Sequence, residues 1–258
     1  MYLEHKGINI FYTDKGQGLT TVLLHGFLEN ASMWKPFIPI LSKNNRIITI
    51  DLLGHGKTGC LGYVHSMELM AETIEAVLNH LKIKTSIIIG HSMGGYVALA
   101  FAEKKPKALT GLCLMNSTAN ADSTEKKINR DRAIKAVKQN HKTFIRMAIG
   151  NLFNPKNKSK FQDNIKALIQ DAQQTPLQGI IAALEGMKIR KDRQTILHSA
   201  PYKRMLMVSK KDPILDYKQL ISQTENTSVE IAEFHDGHMS HIENKDEFLY
   251  KIMYFVEK

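Results

Sequence analysis

Short apolar runs and longer amphipathic stretches alternate along most of the chain. Residues 21–25, 46–51, 87–89, 109–116, 204–209 and 228–234 are compact runs of aliphatic and β-branched side chains, which predicts buried strands. A shorter strand is expected over 7–14, ending in the turn Lys15-Gly16-Gln17-Gly18. Between these runs the period changes. Leu69, Met70, Ile74, Val77, Leu78 and Leu81 recur at helical spacing over 67–81. Further helices are expected over 32–41 around Trp34, from Tyr96 to about Glu103 before Pro106, around Tyr217-Lys218-Gln219-Leu220, and from about Asn244 onward. Strands alternating with helices predict an α/β fold, a mostly parallel doubly wound sheet with both faces covered.

The rhythm breaks once. From 123 to 153 the chain is polar and helical, and Asn154-Pro155 ends it; two more helices are expected over 161–174 and 177–187, with Pro176 between them. The resulting division is a core made of 1–118 and 201–258, with 119–200 a helical lid insertion. Such a lid belongs over the C-terminal edge of the sheet, where the loops of open α/β sheets gather ligands.

Chemistry concentrates at that edge. Ile87-Ile88-Ile89 runs into Gly90-His91-Ser92-Met93-Gly94-Gly95, and a helical pattern begins at Tyr96. This is G-x-S-x-G where a strand breaks into a helix: the glycines let neighbouring backbones pass close, and the serine hydroxyl stands clear on a sharp turn. A serine needs a base, and the base an orienting group. Downstream, the strand 204–209 leads into Lys211-Asp212-Pro213-Ile214, and the strand 228–234 into His235-Asp236-Gly237-His238, so Ser, Asp and His follow in the order that a nucleophile elbow requires. Asp216, just before a helix, reads as an N-cap. Oxyanion donors are expected from the Met93 N–H and, in the loop His25-Gly26-Phe27, from the Phe27 N–H.

These pieces, with Asp51-Leu52-Leu53-Gly54-His55-Gly56 and Glu243 after Gly237-His238, resemble the α/β-hydrolase superfamily, in its small lid-bearing branch of esterases, carbon–carbon hydrolases and cofactor-free haloperoxidase-like enzymes. The resemblance spans nearly everything outside the lid. It implies Ser92 as nucleophile, His238 as general base, Asp212 as orienting acid, and Phe27 and Met93 as oxyanion donors. The catalytic histidine of the family follows glycine directly, which favours His238 over the nearby His241. His25, His55 and His91 are expected to fix backbone, and Trp34 and Tyr96 to pack. The implied activity is cleavage of a carboxylic ester or related small acyl substrate. Carbon–carbon bond hydrolysis, a menaquinone-pathway-type lyase and a small-molecule receptor that does not turn over remain as alternatives. The lyase pattern carries an arginine soon after the serine motif; here Tyr96-Val97 follows, leaving Arg130, Arg132 or Arg146 of the lid to take that part.

Composition adds limits. The net charge is +10, yet 119–200 holds 16 Lys and Arg against 7 Asp and Glu, a net +9, so nearly the whole excess sits in the lid. With no nucleic-acid motif and few aromatics there, two readings stand: a solvated helical surface, or an anionic substrate or partner. No nucleic-acid or membrane partner is expected. No apolar run reaches the length of a bilayer span, and Met1–Gly7 lacks the apolar core of a secretory signal. Cys60 and Cys113 have neither disulfide nor metal spacing, so a cytoplasmic protein without cofactor or metal is expected.

Overall fold

The computed structural model describes residues 1–258. Strands β1 (Tyr2–His5), β2 (Ile8–Lys15), β3 (Leu19–Leu24), β4 (Asn45–Ile50), β5 (Ser86–His91), β6 (Leu109–Met115), β7 (Lys203–Ser209) and β8 (Glu230–Phe234) form one sheet. Their order is β1-β2-β4-β3-β5-β6-β7-β8. β3 to β8 are mutually parallel; β2 runs against β4 and against β1. The sequence pattern contains no sign of β1. It is an edge strand with no buried residue, paired to β2 through a hairpin in which Lys6 and Gly7 both take positive φ, so no apolar run marks it.

Side-chain alternation in the strands divides the interior into two cores. Ile88, Leu112, Leu114, Leu206 and Val208 face one side of the sheet, whereas Ile87, Ile89, Cys113, Met205 and Met207 face the other. Ten helices cover the sheet and its edge: α1 (Ile38–Leu41), α2 (Met67–His80), α3 (Met93–Lys104), α4 (Thr124–Gly150), α5 (Gln162–Ala172), α6 (Leu177–Lys188), α7 (Gln194–Ser199), α8 (Tyr217–Ser222), α9 (Ser240–Glu243) and α10 (Lys245–Glu257). α2 and α3 pack on the first face; α1, Trp34 and α10 pack on the second. The helix expected over 32–41 is split into a 3-10 turn, Ala31–Trp34, and the single turn α1. Pro36 lacks the N–H needed to carry one helix across.

α4 to α7 all lie between β6 and β7. α4 is two helical pieces: Asn140 is extended (φ −158°, ψ 89°), and its side chain accepts from Thr143 N at 3.0 Å, capping the second piece. α6 carries Gly179, Ala182, Ala183 and Gly186 among its buried residues. Its small face lies against the loop before α2: His65 N donates to Ala182 O at 2.9 Å, and a Cβ on Gly186 would collide with the His65 carbonyl. None of the helices is long and apolar enough to cross a membrane.

Candidate active site

β5 ends in an abrupt corner. Ser92 sits between β5 and α3 at φ 49°, ψ −113°, a left-handed conformation that a serine adopts only where its surroundings enforce it. Ser92 N donates to Met115 O at 2.9 Å, while the Ser92 carbonyl accepts from Ser117 Oγ at 2.8 Å and from Gly95 N at 3.0 Å. Gly94 passes so near β3 that a Cβ would stand 2.6 Å from the His25 carbonyl oxygen, which explains the glycine. The Ser92 side chain faces a cavity of about 790 Å³. The N–H groups of Met93, at the start of α3, and of Phe27, in the loop after β3, donate to nothing within the protein. Free donors at a helix N-terminus suit a developing oxyanion.

The other two predicted residues meet beside this corner. Asp212, after β7, accepts from His238 Nδ1 at 2.7 Å, and both side chains are buried. Its carboxylate also accepts from Asn116 Nδ2 (3.1 Å), Ile214 N (2.8 Å) and Leu215 N (3.1 Å). Burial alone would raise the Asp212 pKa, but the His238 ring and these donors outweigh it and hold the carboxyl below its usual range. His238, after β8, lines the same cavity as Ser92. No hydrogen bond joins Ser92 Oγ to His238; such contacts are often long in unliganded sites. Asp216 caps α8 by accepting from Gln219 N at 2.8 Å.

Two supporting residues escaped the sequence reading. Asn116, at φ 44° after β6, donates to Asp212 and to Ser209 Oγ and accepts from Ser240 Oγ at 2.6 Å. Its signal was a polar residue ending an apolar strand at the sheet edge that carries Ser92. Glu29 is buried behind the Phe27 loop, where Oε2 accepts from Gly26 N and from His91 Nδ1, each at 2.6 Å. The other ring nitrogen of His91 lies 3.1 Å from the His238 carbonyl oxygen. Both neighbours of the ring are acceptors, so both nitrogens carry protons and His91 is an imidazolium. Burial opposes that charge, but the Glu29 carboxylate overcomes it and raises the His91 pKa. Glu29 in turn is pulled down to about 2, burial being outweighed by His91. The pair thus ties the Phe27 loop to the main chain of His238.

Glu29, His91 and His241 bring their potential ligand atoms within 4.8 Å of one another. Glu29 Oε2 and His91 Nδ1 are bonded directly at 2.6 Å, closer than two ligands of a tetrahedral zinc ion stand, and His241 Nε2 lies 4.0 Å from Glu29 Oε1. His241 itself is buried away from the cavity, and burial drives its pKa down to about 3. His25 and His55 contact backbone as expected: Leu52 N donates to His25 Nε2, and His55 Nδ1 lies 3.0 Å from Leu53 O.

The cavity lies between the sheet edge and the inserted helices, with Phe27, Leu215, Phe144, Ile149, Leu184 and Met187 among its apolar walls. Trp34 lies on the other face of the sheet, stacked on Phe248. Tyr96, expected only to pack, borders the cavity and carries the Arg190 guanidinium 4.1 Å above its ring. Of the three arginines considered for substrate contact, only Arg130 reaches the cavity. Arg132 is exposed and bonded to Asn129, and Arg146 is exposed.

A family model described as the alpha/beta hydrolase fold matches residues 22–245. A thermophilic esterase from Thermogutta terrifontis, solved with malate bound, superposes with a TM-score of 0.90 at 29% identity, over 99% of this chain and 96% of that one. An uncharacterised hydrolase, YugF, of Bacillus subtilis (strain 168) is 31% identical over 115 residues, 43% of this chain and 42% of the relative. A 2-hydroxy-6-oxononadienedioate/2-hydroxy-6-oxononatrienedioate hydrolase of Paraburkholderia xenovorans (strain LB400) is 36% identical over 124 residues, 45% of this chain and 42% of the relative. The matches thus span less than half the length of these two relatives.

Proposed function

The chain belongs to the alpha/beta hydrolase fold family, and from that premise we propose that it is a serine hydrolase cleaving a carboxylic ester or related small acyl substrate through an acyl-enzyme on Ser92. The observation that carries this reading is the shared cavity wall: Ser92 at its strained corner, beside a His238 ring already bonded to Asp212. Likeness to the Thermogutta esterase along almost the whole chain supports it.

With Asp212 ionised, the His238 Nδ1 proton stays on the Asp212 side and Nε2 keeps a free lone pair. Ser92 Oγ attacks the carbonyl carbon as Nε2 takes its proton. The resulting oxyanion accepts from the Met93 and Phe27 N–H groups, and Asp212 stabilises the imidazolium. Collapse breaks the carbon–oxygen bond to the alcohol, which leaves with the His238 proton. Water then attacks the acyl carbon, giving its proton to His238, and Ser92 recovers that proton as the acid departs. The α4–α7 segment acts as a lid: it roofs the cavity and grips the base loop through His238 N to Leu152 O (2.9 Å) and Asn154 N to Glu243 Oε2 (3.1 Å).

A fluorophosphonate probe should label the wild-type protein at Ser92, located by mass spectrometry, and a panel of acyl esters should be turned over repeatedly. Labelling that survives Ser92→Ala, or a single burst without cycling, contradicts the proposal; the latter marks a receptor. Carbon–carbon bond hydrolysis by the same residues is a second reading, favoured by the Paraburkholderia relative. It predicts faster cleavage of a vinylogous 1,5-diketone than of any ester.

A further inference from the structure

Two cations on the cavity wall, Lys126 and Arg130, have donor groups that no carboxylate takes up. Three cations, Lys126, Arg130 and Arg190, gather around Asp122, whose carboxylate is buried. Arg190 Nη1 takes Asp122 Oδ1 at 2.5 Å, and Arg130 Nε takes Oδ2 at 3.0 Å. Arg190 also donates from Nε to the Asn120 carbonyl oxygen and from Nη1 to that of Met187, and its guanidinium lies over the Tyr96 face. Lys126 makes no direct bond to Asp122: its Nζ has no hydrogen bond and no ion pair, although the side chain lines the cavity and is half-buried. The Nη groups of Arg130 are likewise free. The other carboxylates on the cavity do not bond to this pair. Asp216 is committed to capping α8, Glu29 to His91, and Glu125 is exposed at the start of α4 without contacting either cation.

An ammonium without a hydrogen-bond partner in a partly desolvated wall is costly: burial and the neighbouring Arg190 push the Lys126 pKa down, against the opposing pull of Asp122 and Asp212. An anion arriving between Lys126 and Arg130 reverses that penalty. The cavity that this pair shares with Ser92 is also lined by apolar side chains such as Leu215 and Ile149, which suit a short aliphatic spacer between carboxylate and ester. A planar Nη pair beside an ammonium matches a carboxylate.

We infer that Lys126 and the free Nη groups of Arg130 form an anion subsite that binds a carboxylate carried by the substrate, so that the preferred esters are monoesters of short dicarboxylic acids. This deepens the serine-hydrolase reading and rests on it for the cleavage step, though not for binding. It also gives the lid's charge excess a specific location: two side chains face the substrate, whereas exposed cations such as Arg132 and Arg146 face solvent.

The test pairs monophenyl succinate, glutarate and adipate with the phenyl esters of the matching monoamides, which keep the shape and lose the charge. In wild type at low salt, kcat/KM should favour the acid of at least one pair, and the preference should shrink as salt rises. Lys126→Met should cut the acid-to-amide ratio of kcat/KM by about tenfold or more, and Arg130→Gln should cut it in the same direction. A second measurement needs no turnover: calorimetric titration of the same monoesters into Ser92→Ala protein, with and without Lys126→Met, should show the same loss of affinity for the acids. Equal acid-to-amide ratios with and without Lys126, or equal calorimetric affinities, overturn the subsite. Failure of the hydrolase reading looks different: neither ester of a pair is turned over in a Ser92-dependent way, and the calorimetry alone then decides the subsite.

Discussion

The Asp212 carboxylate accepts from His238 Nδ1, Asn116 Nδ2 and two backbone N–H groups, whereas Asp216, four residues on, accepts from Gln219 N and caps a helix. Identical side chains on one loop therefore predict different damage. Asp212→Asn should leave the fold nearly intact and reduce ester turnover by up to about 10⁴-fold, because the amide no longer favours the imidazole tautomer that leaves Nε2 free. Asp216→Ala should cost about 0.5–2 kcal/mol of stability, the usual worth of a cap, with little change in kcat. Steady-state kinetics and urea unfolding on both variants separate the roles; loss of turnover in Asp216→Ala with an active Asp212→Asn would reverse them. Asp212 is the third residue after β7, and Pro213 behind it resists further strand.

Among the elements, α6 sets how the inserted segment meets the sheet. Its glycines allow backbone-to-backbone approach against the loop before α2, and it contributes Leu184 and Met187 to the cavity. Gly186→Ala places a methyl against the His65 carbonyl, a backbone atom that cannot swing aside. The expected loss is about 1–3 kcal/mol, the usual cost of overpacking, read from the urea midpoint. Gly150→Ala gives the control: at the end of α4 a Cβ meets nothing within 4 Å, and φ there is not positive. That substitution should add up to about 1 kcal/mol by restricting the unfolded chain. If both variants change stability alike, the close packing of α6 on the core is not what holds this segment.

At the scale of the whole molecule, buried histidines set the acid limit. Burial drives His55 and His241 to about 3 and His65 to about 4, so the folded protein keeps all three neutral. The unfolded chain protonates them near 6.5. Their contribution is therefore present above about 6.5 and is lost as pH falls toward 4 and 3, with each group adding a slope of up to about 1.4 kcal/mol per pH unit. Glu29, lowered from 4.5 to about 2, extends the loss over that lower window. His91 acts in the opposite sense: its raised pKa gives stability that is full below 6.5 and fades as pH rises through the folded value. Three groups outweigh one, so the urea midpoint should fall steeply from pH 6.5 to 4. A flat profile across that window would show that these histidines are solvated or charged in the fold.

Much of the fold was legible because its signals are local. A strand buried on both faces must be apolar along a short run, so β3 to β7 can be read from consecutive residues. The glycine-flanked corner at Ser92, the proline after Asp212 and the glycine before His238 are likewise backbone requirements of single loops. β1 left no signal because a half-exposed edge strand needs no apolar run. Glu29 was silent, and Asn116 showed no more than its place at a strand end, for a different reason. Glu29 meets His91 across 62 positions, and Asn116 meets Asp212 across 96. No periodicity encodes a contact at that range. Charge shows the same limit: the sequence located the excess of cations between β6 and β7, but only packing decided which were neutralised. Asp122 pairs with Arg130 and Arg190, and Lys126 is left facing the cavity. The chain's local chemistry thus determined the sheet and the order of Ser92, Asp212 and His238. Tertiary structure decided what surrounds them, because burial and long-range pairing set the protonation and the free valences of each side chain.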